Sequence, residues 1–235
     1  MINTAQRTQD ALCAVSHKGG KGMNPWEEIR LSDYEEHMKL DSVHQLQALN
    51  EMMKKQLSAY PVETAAIFGI AGGNGLEHID RSKYRKVYGI DINEMYLAAV
   101  TERYAWLGDV LECRRTDIIS ESDKLPQAEL IIADLLIEYV GYEAFQKSVL
   151  KTGAKYVSCI IQINTDEKAW VSDSPYIHAF DGLDAVHHQM GENELTAAMA
   201  EIDFRQIKTD EYPLPNGKKL VMLDYIIRAP LKNPF

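Results

Sequence analysis

The stretch from Thr64 to Gly75, TAAIFGIAGGNG, decides how the rest of the chain is read. A short apolar run ends at Gly69, and Gly72, Gly73 and Gly75 follow closely. Leu76 to Asp80, LEHID, then opens a short helix. Where a strand runs into glycines and then a helix, the backbone turns sharply and a ligand approaches with no side chain in the way. The helix start adds free N–H groups.

The segments downstream repeat the alternation. Residues 86–91, KVYGID, form an apolar run that ends in Asp91. Residues 93–107 have helical character before Gly108, and 110–114, VLECR, read as a strand before Asp117. Residues 128–137, AELIIADLLI, read as a buried strand holding Asp134. Residues 142–153 read as a helix with a glycine stop, and 155–163, KYVSCIIQI, as another buried strand. Strands alternating with helices imply βαβ units and a parallel sheet. Residues 205–214 and 218–229 are two further strand candidates around Pro215-Asn216-Gly217, a hairpin signal. A helix is expected over 192–202.

Upstream, Ser32-Asp33-Tyr34-Glu35 has the form of a capping box. Val43, Leu46, Leu49, Met53 and Leu57 follow at helical spacing, with a break near Leu40-Asp41 and a stop at Pro61. Residues 23–60 therefore read as an N-terminal helical cap on a domain spanning 61–235. Residues 1–22 are polar, glycine-bearing and without period, and read as a flexible leader. Residues 164–190 have no clean period and carry Trp170, Tyr176, His178, Phe180, His187 and His188, as a lid over an acceptor site would.

Composition narrows the function. The 235 residues carry a net charge of −10, which argues against a dedicated nucleic-acid binder. Hydrophobic residues at 46% are enough for a folded core. No apolar run has the length of a membrane span, and no secretory signal is evident, so a cytoplasmic location is expected. Cys13, Cys113 and Cys159 are too scattered for a disulfide framework, and adjacent His187 and His188 diverge on regular structure, so no metal site is expected.

Asp91, at the end of the second strand, is placed to accept hydrogen bonds from ribose hydroxyls or to cap the next helix. Asp117 and Asp134 fall on the same rim. The order of glycine loop, acidic second-strand end, Asp after strand three, apolar strand four and closing hairpin resembles the class I S-adenosylmethionine-dependent methyltransferases. The resemblance covers Ala65 to Arg228. It implies a Rossmann-like seven-stranded sheet of order 3-2-1-4-5-7-6 with strand seven antiparallel, and S-adenosylmethionine as cofactor. It places Gly69, Ile70, Ala71, Gly73 and Gly75 at the methionine part. It puts Asp91 and Ile92 at the ribose, Asp117 and Ile118 at the adenine, and Asp134 and Leu135 beside the methionine. The chain departs from the family pattern at Gly69 and Ala71, which stand where an acid and the first loop glycine are usual. The Asn/Asp-Pro-Pro-Tyr signature is absent, which points to a small-molecule or protein acceptor. Tyr34, His37, Glu138, Tyr139, Tyr142 and His178 are candidate acceptor-side residues. Two alternatives stay open: an NAD-dependent oxidoreductase, against which the G-x-G-x-x-G spacing is missing, and a cofactor-binding scaffold without catalysis.

Overall fold

A computed structural model describes residues 24–164 and 170–228; the leader at 1–22 lies outside the described residues. One sheet organises them, with strands β1 (Thr64–Phe68), β2 (Lys86–Asp91), β3 (Leu111–Arg115), β4 (Leu130–Asp134), β5 (Tyr156–Ile163), β6 (Phe204–Pro213) and β7 (Lys219–Ile227). Their spatial order is β3-β2-β1-β4-β5-β7-β6. The first five pair parallel, and β7 lies antiparallel to both β5 and β6. The sheet is the one that the family resemblance implies.

Burial on both faces explains why the central strands are continuous apolar runs. Successive side chains of β1 point to opposite faces. Ala66 and Phe68 join Ile131, Val157 and Leu223 under the helices α4 (Ile137–Thr152) and α5 (Glu192–Glu201). Ala65 and Ile67 join Val87 and Ile132 on the other face, against Leu97 and Val100 of α3 (Glu94–Arg103) and Met53 and Leu57 of α2 (Gln45–Ala59). α1 (Leu31–Lys39) and α2 also cover Ile160, Leu220 and Met222, through Met38, Leu49 and Met52.

The N-terminal cap forms differently from the expected box. α1 begins at Leu31 with Arg30 at its N-cap and no side-chain capping bond, so Ser32 lies inside the helix. Glu35 turns instead to Arg103, whose Nη1 donates to Glu35 Oε1 at 2.6 Å and to the Gly72 carbonyl at 2.7 Å. A long-range ion pair has taken the carboxylate that the box needed. The true box lies earlier. Asn24 Oδ1 accepts from the Trp26 N–H at 3.1 Å, and Glu27 Oε2 accepts from the Asn24 N–H at 3.2 Å. The turn Pro25–Glu27 is pinned to α3: Asn93 Nδ2 donates to Trp26 O at 2.9 Å, and Tyr96 OH donates to Ile29 O at 2.9 Å.

The glycine loop is packed from below. Gly73 has φ +77°, and a Cβ there would lie 2.8 Å from Tyr104 Cε2 and 3.0 Å from Leu76 Cδ1. Gly73→Ala combines a left-handed backbone with overpacking, and should cost about 2–4 kcal/mol of stability. Urea unfolding followed by circular dichroism checks this; a loss under about 0.5 kcal/mol would show that the loop relaxes freely.

Candidate functional site

The C-terminal ends of β1, β2 and β4, with the loop after β3, surround a cleft of about 760 Å³. Open α/β sheets bind ligands along this edge. Its walls include Gly69, Ala71, Asp91, Ile92, Asp117, Ile118, Asp134 and Leu135. Ile70 faces a neighbouring cavity under α1 and α2, which shares Tyr34, Gly69, Ala71 and Asp134 with the cleft. Gly73 and Gly75 do not reach it. Gly73 faces Tyr104 and Val100, and Gly75 faces Met53, so both serve the packing beneath the loop.

Asp91 is buried, and both of its oxygens hold backbone. Oδ2 accepts from the Ala71 N–H at 2.9 Å, and Oδ1 accepts from the Asn93 N–H at 2.9 Å. Burial pushes its pKa up, and the bonds from Asn93, Ala71 and Ile92 oppose that shift. A carboxylate offers about four lone-pair sites, so further donors can be accepted. Asp117 is drawn into its own turn, accepting from the Ile119 N–H at 3.0 Å and the Ser120 hydroxyl at 2.6 Å. Ala71 and Leu135 sit at φ +46° and +53°, a costly region for residues with a Cβ, and both line the cleft.

A second cavity of about 610 Å³ adjoins the cleft and shares Trp26, Tyr34, Leu135 and Tyr139 with it. His37, Gln45, Glu138, Gln162, Trp170, Phe180 and His187 are also in its walls. The N-terminal segment and the segment after β5 meet here: Ile29, Phe180 and Leu183 form a small core with Trp26, Tyr34, Tyr139 and Trp170. His37 Nδ1 pairs with Ser174 Oγ at 2.8 Å, and its ring packs on Phe180 at 4.7 Å. Burial, aided by the Lys218 charge, lowers the His37 pKa to about 4, so it is neutral at pH 7.

The predicted acceptor-side residues divide. Tyr34, His37, Glu138 and Tyr139 all line the second cavity. His178 does not: its side chain is 89% exposed and pairs with Asp181 at 3.2 Å. Tyr142 is occupied elsewhere, its hydroxyl accepting from the Gly191 N–H at 3.3 Å. Trp26, Gln45 and Gln162 are not among the residues that the sequence singles out, and His187 is marked there only as part of the lid segment. Asn24-Pro25-Trp26-Glu27 held a usable capping signal, and Gln162 lies near the carboxyl end of β5, two positions beyond the register partner of Asp134.

Two carboxyls stand out electrostatically: Glu138 is buried, and Asp134 is half-buried with its Oδ2 enclosed. Asp134 Oδ1 accepts from Gln56 Nε2 at 2.8 Å, and Glu138 Oε1 accepts from the Gln162 N–H at 2.9 Å. The remaining oxygen of each has no hydrogen-bond partner among the described residues. Burial is the main cause that pushes both pKa values up to about 7. A group of three or more metal-ligating side chains is absent among the described residues.

No protein-family model matches the chain, and no curated protein matches it. Solved structures share its fold. The N-methyltransferase NodS from Bradyrhizobium japonicum WM9, in complex with S-adenosylhomocysteine, superposes with a TM-score of 0.59 at 12% identity, over 85% of this chain and 98% of its own. A geranyl diphosphate methyltransferase in complex with S-adenosylmethionine gives 0.58 at 12% identity, over 89% and 93%. The [4+2]-cyclase SpnF gives 0.59 at 9% identity, over 78% and 82%. The fold is that of the class I S-adenosylmethionine-dependent methyltransferases.

The raised carboxyl of Asp134 makes a stability prediction. An unfolded Asp titrates near 3.9, so between about pH 4 and pH 7 the folded state holds a proton that the unfolded state has lost. Stability is then lost as pH rises through that window, at up to about 1.4 kcal/mol per pH unit from this group. Asp134→Asn keeps the acceptor for Gln56 and removes the titration. Thermal melts should place the variant close to wild type at pH 4 and above it by a few kcal/mol at pH 8. Equal melting differences at both pH values would refute the assignment.

Proposed function

We propose that the chain is a methyltransferase that takes S-adenosylmethionine in the cleft at the sheet edge and a small-molecule acceptor in the adjoining cavity. The observation that carries this reading is the set of carboxyl acceptors and loop glycines that line the cleft. Asp91 and Asp117 follow β2 and β3, Gly69 and Ala71 follow β1, Asp134 ends β4, and Ile92 and Ile118 add apolar wall. The residues fit the cofactor: Asp134 holds an unpartnered enclosed oxygen suited to a cationic ligand, and Gly69, at φ +68°, lines the cleft at the end of β1. NodS and the geranyl diphosphate enzyme were solved with the cofactor or its demethylated product. SpnF is a cyclase on the same fold, so fold alone does not assign methyl transfer.

The bound cofactor supplies a methyl group already activated by its positive sulfur. The chain's own residues have three tasks. Asp91 orients the nucleoside end while fixing the loop that carries Ala71. The shared wall of Trp26, Tyr34, Leu135 and Tyr139 aligns the two cavities and excludes water. Positioning of this kind contributes about 7–11 kcal/mol at best. On the acceptor side, Glu138 is able to hold a proton near neutral pH, and neutral His37 is able to accept a hydrogen bond. An NAD-dependent oxidoreductase is not favoured, since the loop lacks the G-x-G-x-x-G spacing and the sheet closes with an antiparallel hairpin.

Calorimetry with S-adenosylhomocysteine and with NADH tests the reading. The first should bind and the second should not. Asp91→Ala should weaken binding tenfold to a hundredfold, from the loss of charge-assisted bonds of about 1.5–3 kcal/mol. Unchanged affinity in a variant with native circular dichroism would reject the cleft as the cofactor site.

A further inference from the structure

The second cavity combines a buried acid with an aromatic enclosure. Trp26 meets Tyr139 edge-on at 4.8 Å and 84°, and meets Tyr34 at 5.9 Å and 76°. Tyr139 meets Trp170 at 6.2 Å and 65°. Trp26, Tyr34, Tyr139 and Trp170 all line the cavity, so aromatic rings in differing orientations border it. The faces of such rings attract cations by their quadrupoles. Glu138 belongs to the same lining; it is 4% exposed, one oxygen is held by the Gln162 N–H, and the other has no partner among the described residues.

We propose that this cavity is a receptor for a protonated amine carried on an apolar body, with the Glu138 carboxylate as its counter-ion and Trp26, Tyr139 and Trp170 as its walls. The proposal rests on the methyl-transfer reading only in taking the cavity as the acceptor side. An ammonium supplies the donors that the orphaned oxygen lacks, and its charge compensates the cost of ionising a buried carboxyl. The net charge of −10 adds a field that draws cations.

The surrounding groups leave this role to Glu138. From α1, Tyr34 and His37 face the cavity, with burial raising the first pKa and lowering the second to about 4. From the cover segment comes His187, stacked on Trp170 at 3.9 Å and likewise lowered to about 4, mainly by burial. His188 donates its backbone N–H to Glu138 O. Tyr139 and Tyr142 on α4, and Cys159 on β5, have their pKa values raised by burial, so they are neutral. Asp134 on β4 is a second acid. Lys218, at the hairpin, is the cation whose charge helps to lower the pKa values of His37 and His187. Its ammonium donates to Trp170 O at 2.6 Å and Ser172 Oγ at 3.4 Å, and burial lowers its pKa to about 8.

The sign of the pH dependence distinguishes an amine from a neutral ligand. If Glu138 ionises to bind an ammonium, affinity rises with pH through about 7. If it stays protonated and donates to a neutral group, affinity falls over the same range. The probes are benzylamine and benzyl alcohol, which match in shape and differ in charge. Their binding to the full chain is measured by calorimetry without cofactor, from about pH 6 to about pH 8. Benzylamine should bind at least tenfold tighter than benzyl alcohol at the upper end, and its affinity should rise about tenfold across the range. Glu138→Gln keeps an acceptor for the Gln162 N–H; it should lose that rise and weaken benzylamine tenfold to a hundredfold at the upper end. Should Glu138→Gln fail to fold, Trp170→Leu should weaken benzylamine and leave benzyl alcohol nearly unchanged. Equal binding of the two probes, affinity that falls with pH, or no benzylamine binding at the upper end would each overturn the proposal. S-adenosylhomocysteine titrated in the same samples separates this outcome from failure of the cofactor cleft.

Discussion

The carboxylate of Asp91 joins the two strands on which the site depends. It is the last residue of β2, and it accepts from Ala71 in the loop after β1 and from Asn93 at the cap of α3. Asn93 in turn accepts from the first turn of α3 and donates to Trp26 in the N-terminal segment. One buried acid thus holds the left-handed Ala71, the start of a helix and, through one intermediary, the wall shared by two cavities. The enthalpy of these bonds compensates the burial of a charge that would otherwise be expelled.

Asp134 and Glu138 follow the opposite rule. Each has one oxygen satisfied and one enclosed oxygen without a partner among the described residues. A protein selected only for stability would fill such positions with apolar side chains. Their retention beside strained Leu135 concentrates unfavourable free energy at the end of β4. The three features lie together at the rim of the two cavities and not in the sheet interior. Sites that must engage a ligand commonly carry instability of this kind, which the bound partner relieves.

The sheet was legible because its strands obey one-dimensional rules. β1, β4 and β5 are buried on both faces, so their composition alone marks them, and Pro215-Asn216-Gly217 marks the hairpin. The cap of α1 was not, because Glu35 answers to Arg103, far away in sequence. His178 shows the same limit. In the 3-10 turns from Ile177 to Ala185 the period is near three, so Phe180 and Leu183 turn inward together while His178 and Asp181 turn outward. An aromatic-rich segment announces a cover, and the phase that decides which residues face the site comes from its docking on Ile29. Asp91, Asp117 and Asp134 were readable as rim residues because strand ends are countable. The roles of Gly73 and Gly75 were not, since a glycine that admits a ligand and one that admits Tyr104 or Met53 look alike in sequence.

Trp26, Tyr34, Leu135 and Tyr139 belong to both cavities. Two molecules that touch the same side chains do not bind independently. Any rearrangement of this wall that one occupant induces changes the free energy of the other, and thermodynamic reciprocity makes the factor equal in both directions. Under the proposed function the partition is a coupling element: loading one chamber would set the affinity of the next, and emptying either would reset the pair.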